Sequence, residues 1–169
     1  MVASCTAACG CFIGQCEPGW VQFRDHCYKF VPRSKLSVTF HEAEAYCQGF
    51  STLNGTGHLA SVQDQDENDF ILDIATMAGM RGNFWIGFTD TQNEGTFVWT
   101  DGSPTPYKNW RSGSPDDGGS GRSEDQAEMS STREWNDTNG DSKTLRRGFM
   151  CKMPVFDKKK FVTRACSGK

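Results

Sequence analysis

The stretch that most limits the fold runs from Arg111 to Asp125 and reads Arg-Ser-Gly-Ser-Pro-Asp-Asp-Gly-Gly-Ser-Gly-Arg-Ser-Glu-Asp. Glycine gives up much backbone freedom on ordering and proline lacks an N–H, so neither a helix nor a strand holds such a run. The domain must therefore carry a long irregular loop and regain its core at Trp135. The loop is also acidic. Asp116, Asp117, Glu124 and Asp125 are spaced by Gly and Ser, and Asn136 and Asp137 follow directly after Trp135. Such a set is either a solvated acidic surface or a group of oxygen ligands for a hard cation such as calcium, which takes about 6–8 oxygens in a flexible arrangement. The loop's composition alone does not separate these readings.

At 169 residues, with five Trp and twelve Phe, the chain suits one domain with a real core. Its net charge of −3 is uneven: residues 86–141 hold eleven acidic and four basic side chains, net −7, so the remainder carries +4. Part of that excess is Lys158, Lys159, Lys160 and Arg164, which read as a solvated basic tail; nothing here indicates a nucleic-acid partner. No apolar run reaches 18 residues, so no membrane span is expected. Eight Cys is a high count, yet no pair has the two-plus-two spacing of a structural zinc site, and His26, His41 and His58 stand apart. Disulfides in an oxidising compartment are the better reading, hence a secreted, extracellular protein. Residues 1–16 lack a basic start and are interrupted by four Cys, so they do not read as a signal peptide; the expectation is that an export signal has been removed. With isolated His and disulfide-bound Cys, no nucleophile–base–acid arrangement is visible, and an enzyme is not expected. Sequons occur at Asn54 and Asn136. Asn54 lies in a Gly-rich loop that suits a glycan, whereas Asn136 should be bare if it binds metal.

Read in order, residues 1–15 form a Cys-rich tether in which Cys5, Cys9 and Cys11 lie too close for simple mutual pairing; their partner is Cys166 or another chain, which would give a disulfide-linked oligomer. Cys16 to Cys27 encloses an alternating segment and reads as a small disulfide-closed hairpin, continued by Tyr28-Lys29-Phe30. A first helix is expected over Thr39–Gln48 and a second over Asp64–Ala78, the latter with Phe70, Ile71, Ile74 and Met77 as core. Phe84–Phe88, Phe97–Trp99, Ala127–Met129, Glu134-Trp135 and Phe149–Cys151 are short strands. Two helices early and many short strands late make an α+β domain, followed by a basic C-terminal tail over 155–169.

The landmarks Gly19-Trp20, Cys27-Tyr28, Ala43-Glu44, Cys47, His58-Leu59-Ala60-Ser61-Val62, Trp85-Ile86-Gly87-Phe88, Trp99-Thr100-Asp101-Gly102, Asn109-Trp110, Pro115-Asp116, Glu124-Asp125, Trp135-Asn136-Asp137 and Cys151 follow one another in an order that resembles the C-type lectin-like domain in its long form. The resemblance covers about residues 16–154 and extends to secreted soluble lectins of invertebrate defence, that is, of innate immunity. It implies disulfides Cys16–Cys27 and Cys47–Cys151. The family usually has a further Cys pair where this chain has Gln126 and Gly140; without that brace the loop should be looser and depend more on metal for its order.

The resemblance also implies a ligand set. The principal calcium of sugar-binding relatives uses a triplet around a proline that is usually cis, a Glu and an Asn-Asp pair: here Ser114-Pro115-Asp116, Glu124, Asn136 and Asp137. Ser114 is the weak member, being short and neutral. An accessory calcium maps to Asp90, Glu94, Asp117, Glu124 and Asp125. Sugar hydroxyls would displace water from the principal ion and bond to the same side chains. An acid at position 116 resembles the galactose-type arrangement and points to galactose or N-acetylgalactosamine. The absence of an aromatic residue from Arg111 to Glu134 removes the usual stacking surface. Two functions remain open at this point: a calcium-dependent lectin of glycans, or a lectin-like protein that binds a protein, ice or mineral surface with calcium only structural.

Overall fold

The computed structural model describes residues 16–119, 123–142 and 144–155. The tether with Cys5, Cys9 and Cys11, the tail with Cys166, and Arg122 lie outside the described residues. Among the described residues there are ten strands and two helices: β1 (Val21–Phe23), β2 (His26–Val31), α1 (Phe40–Gln48), β3 (Ser51–Thr52), β4 (Gly55–Thr56), β5 (His58–Leu59), α2 (Gln65–Met77), β6 (Phe84–Thr89), β7 (Val98–Trp99), β8 (Gln126–Met129), β9 (Trp135–Thr138) and β10 (Gly148–Pro154). The expected α+β class is what forms.

Both helices start where their caps dictate. Thr39 makes a capping box with Glu42: the Thr39 N–H donates to Glu42 Oε2 at 2.9 Å while its hydroxyl accepts from the Glu42 N–H. Asp64 caps α2 by accepting from the Glu67 N–H at 2.9 Å. The main sheet runs β1-β2-β10-β6-β8-β9, with β5 added to β10 and β7 to β6; β10 and β6 are parallel and the other pairs antiparallel. β10 is central because Gly148–Pro154 is buried along most of its length and pairs on both sides. The Cys16–Cys27 and Cys47–Cys151 disulfides are both present, the second tying α1 to β10.

The expected core of α2 needs one correction. Ile71 and Ile74 are buried and Phe70 is partly so, but Met77 is 78% exposed. The helix turns a different stripe inward: Glu67, Asn68, Ile71, Leu72, Ile74 and Ala75. Met77 falls well round the helix from that stripe, and Met80 beyond the helix end packs on the core instead. Two polar members of the stripe are held by partners. Glu67 pairs with Lys152 Nζ at 2.6 Å and accepts from Tyr28 Oη and the Gln63 N–H. Asn68 Oδ1 accepts from Trp135 Nε1 at 2.8 Å, and its Nδ2 donates to the Arg133 carbonyl at 3.1 Å. Arg133 reaches back to Asp69 and Asp73 on α2. Helix α2 thereby fixes the β8–β9 turn and the first residue of β9.

Candidate functional site

The acidic loop closes over one end of β9. Alternation along β9 sends Trp135 and Asp137 inward and leaves Asn136 and Thr138 half-buried. Asn136 and Asp137, both expected as ligands, are thus held by a strand rather than by the loop. Trp135 is fully buried among Trp99, Trp110 and Phe88, and Trp110 bridges to it in backbone pairing. The aromatic core therefore sets the strand's position, and with it the Asn136 and Asp137 side chains.

Asp137 is 1% exposed and organises the loop. Its Oδ2 accepts from the backbone N–H groups of Asp116 at 2.7 Å and Asp117 at 2.9 Å. Its Oδ1 is buried and takes no hydrogen-bond partner among the described residues. One carboxylate oxygen each from Asp116, Glu124 and Asp137 lie within 4.8 Å of one another. The Ser114–Pro115 peptide is cis. The Ser114 hydroxyl donates to Asn136 Oδ1 at 2.9 Å and accepts from Arg111 Nε at 3.0 Å, so it is engaged with its neighbours.

A second cluster sits beside the first. Glu94, Asp117 and Asp125 bring carboxylate oxygens within 4.8 Å of one another. Asp90 lines the same cleft as Glu94, Asp116, Asp117, Glu124 and Asp137. Asp90 is 3% exposed, its Oδ2 accepts from the Gly95 N–H at 2.9 Å, and its Oδ1 is buried without a partner among the described residues. Asp117 Oδ1 accepts from the Glu124 N–H at 3.0 Å, which links the two groups. All the expected acidic residues are thus gathered, with Glu124 in the first group and Asp90 adjoining the second.

The charges are mutually unfavourable. Burial pushes the Glu124 carboxyl up, and the negative charges of Asp137, Asp116 and Asp117 add to it. Burial raises Asp90, with a contribution from Asp125. Asp90's charge, then burial, raises Glu94. Buried charged oxygens without donors are costly unless a cation coordinates them. Two orphaned carboxylate oxygens, each next to a knot of acids, fit a hard divalent cation, and the all-oxygen donor set suits calcium.

Where relatives carry their extra cystine, Gln126 and Gly140 face each other. Gln126 is 1% exposed; its Oε1 accepts from the Gly140 N–H at 2.6 Å and its Nε2 donates to Thr91 Oγ1 at 3.1 Å. A Cβ at 140 would sit 2.8 Å from Phe40 Cβ and 2.9 Å from Gln126 Cβ, so only glycine permits this approach. The brace expected to be missing is replaced by a buried side-chain clamp. Sequence reasoning also passed over Arg111. Its signal was local: Arg-Ser-Gly-Ser forms a turn in which the Ser114 N–H donates to the Arg111 carbonyl at 3.0 Å and Gly113 takes φ +92°. Asn54, the other sequon, donates from Nδ2 to the Val155 carbonyl at 2.8 Å.

Comparison with known proteins gives a consistent result. The family model described as Lectin C-type domain matches residues 36–153. Echinoidin of Heliocidaris crassispina is 33% identical over 152 residues, covering 85% of this chain and all of that protein. The alpha-N-acetylgalactosamine-specific lectin of Patiria pectinifera is 34% identical over 139 residues, 80% of this chain and 79% of that one. Among solved structures, the C-type lectin CEL-I from Cucumaria echinata superposes with a TM-score of 0.72 at 32% identity, covering 82% of this chain and 96% of its own.

Proposed function

The chain belongs to the C-type lectin domain family, and on that premise we propose that it is a secreted, extracellular, calcium-dependent lectin that binds glycans and is not an enzyme. The observation that carries the reading is the unpartnered buried Oδ1 of Asp137, beside Asp116 and Glu124. In this reading Asp116, Glu124, Asn136 and Asp137 hold the principal ion, and Ser114 acts as a strut for Asn136. Asp90, Glu94, Asp117, Glu124 and Asp125 hold an accessory ion that stiffens the loop. Bound calcium supplies a site at which two sugar hydroxyls replace water. The chain's own part is to orient those hydroxyls through the same carboxylates and amide, which accept and donate hydrogen bonds once the ion has fixed them.

Asp116 supports galactose or N-acetylgalactosamine as the sugar, a reading that the specificity named for the Patiria lectin also supports. Among the described residues Phe97 is the aromatic lining the cleft, and at 7% exposure it offers little stacking surface. Such a site would hold a single sugar weakly, and linkage of copies through Cys5, Cys9, Cys11 or Cys166 would raise the effective concentration. The test is a glycan array run in calcium and in chelator, with Asp137→Ala alongside. The expected result is calcium-dependent retention that Asp137→Ala abolishes; retention that persists in chelator would overturn the reading. The engagement of Ser114 with Asn136 favours a second reading, recognition of a protein, ice or mineral surface with calcium only structural. Calcium uptake by calorimetry with an empty glycan array would select it.

A further inference from the structure

Among the described residues, Arg111 is the cation on the rim of the acidic site. Arg111 is anchored by its backbone, the N–H donating to the Trp135 carbonyl at 2.9 Å and the carbonyl accepting from the Ser114 N–H. Its Nε is spent on Ser114 Oγ, which in turn donates to Asn136 Oδ1. The side chain is exposed, and its two terminal nitrogens take no partner among the described residues. Although Glu124 lies near enough to feel its charge, no ion pair between Arg111 and a carboxylate of the loop is found among the described residues.

We propose that Arg111 is a specificity-determining residue whose terminal guanidinium nitrogens bind the anionic substituent, carboxylate or sulfate, of an acidic sugar held at the loop. This rests on the calcium-lectin reading. The acids of the site are committed to the metal and to loop N–H groups, which leaves the Arg111 guanidinium, among the described residues, as a cationic group with donors to spare. A neutral sugar offers it only hydroxyls. A carboxylate or sulfate offers paired oxygens that match the guanidinium fork and need not compete with the calcium ligands. The short hydroxyl of Ser114 is what permits this, because it holds Nε in place and leaves both terminal nitrogens without a partner among the described residues. Tethering at Nε and at the backbone also lowers the ordering cost of the side chain.

The experiment uses the full chain in saturating calcium and inhibition titrations with methyl galactoside and methyl mannoside, each in its neutral, uronic acid and 6-sulfate form. The parent protein should prefer one or both acidic forms by about 5-fold, the upper end of what an exposed ion pair contributes. The uronate and sulfate arms distinguish the two sources of the anion. Arg111→Gln should bring the acidic-to-neutral ratio to one or below, since the remaining loop charge repels anions, and Arg111→Lys should restore part of it. A merely structural strut would shift all six ligands together and leave the ratio unchanged. No preference in the parent, or one that survives Arg111→Gln, overturns the inference while leaving the lectin reading intact. Absence of calcium-dependent binding to every sugar overturns the lectin reading, and the inference with it.

Discussion

Glutamine at position 124 gives the sharpest test of the loop, because its effect should reverse sign with calcium. In chelator, Glu124→Gln removes a negative charge whose oxygen lies within 4.8 Å of oxygens on Asp116 and Asp137. Two unit charges at about 5 Å repel by about 1 kcal/mol at the dielectric of water and about 3 kcal/mol at an effective value of 20. Glu124 is half-buried and salt screens the pair, so a relief of about 1–2 kcal/mol is expected from the two neighbours. For a domain of this size that raises Tm by about 2–8 °C. In calcium at a hundred times its Kd, the parent should gain about 2.7 kcal/mol, and the variant, lacking a ligand, clearly less. The two stability curves therefore cross as calcium is added. The pH dependence follows from the raised carboxyl of Glu124. The folded chain holds this proton more firmly than the unfolded chain does. The penalty is thus present above the folded-state pKa, shrinks as pH falls through it, and is gone below the ordinary glutamate value of 4.5. In chelator the gap between variant and parent should close over that window. Asp90 and Glu94 shift the same way but are common to both proteins and cancel in the difference. Scanning calorimetry with and without calcium from pH 7 to 4 measures all of this. A variant destabilised equally in chelator and in calcium, with no pH dependence, would show that Glu124 is a structural residue and refute the reasoning.

Two further outcomes probe what positions the site. Gln126→Ala leaves the buried Gly140 N–H without its acceptor and should cost about 1–3 kcal/mol in urea unfolding; a loss under about 0.5 kcal/mol would show that the clamp does not substitute for a disulfide. Lys152→Ala strands the Glu67 carboxylate, whose side chain is 4% exposed, and should cost about 3–5 kcal/mol. Near-neutral unfolding energetics for that variant would mean that Glu67 is satisfied by Tyr28 and the Gln63 N–H alone.

Much of the fold was legible because it rests on local chemistry. The spacing of Phe70, Ile71 and Ile74 marks the second helix, and the Gly-Ser-Pro run from Arg111 onward can only be a loop. The order of Trp, Gly and Cys landmarks carried the family resemblance, and with it the list of acidic residues. Side-chain hydrophobicity misled at Met77, because the helix spends part of its inward stripe on Glu67 and Asn68, whose partners Lys152 and Trp135 lie 85 and 67 residues away. Polar burial of that kind is decided by distant partners, which no window of sequence contains.

Residue types and their order were enough to require an aromatic core and a run of carboxylates in a loop, and the family resemblance added the pairing of Cys16 with Cys27 and of Cys47 with Cys151. What those carboxylates face depends on the three-dimensional fold. It placed Asp137 on a strand pinned by Trp135, so that one oxygen is capped by loop N–H groups and the other is buried without a donor. It turned Ser114 toward Asn136 and Arg111, and it set Gln126 against Gly140 where a cystine would be expected. The physical reason is the same in each case. Residue type fixes which groups can donate, accept or carry charge, but whether a group is satisfied, orphaned or free to bind depends on the distant residues that the fold brings beside it.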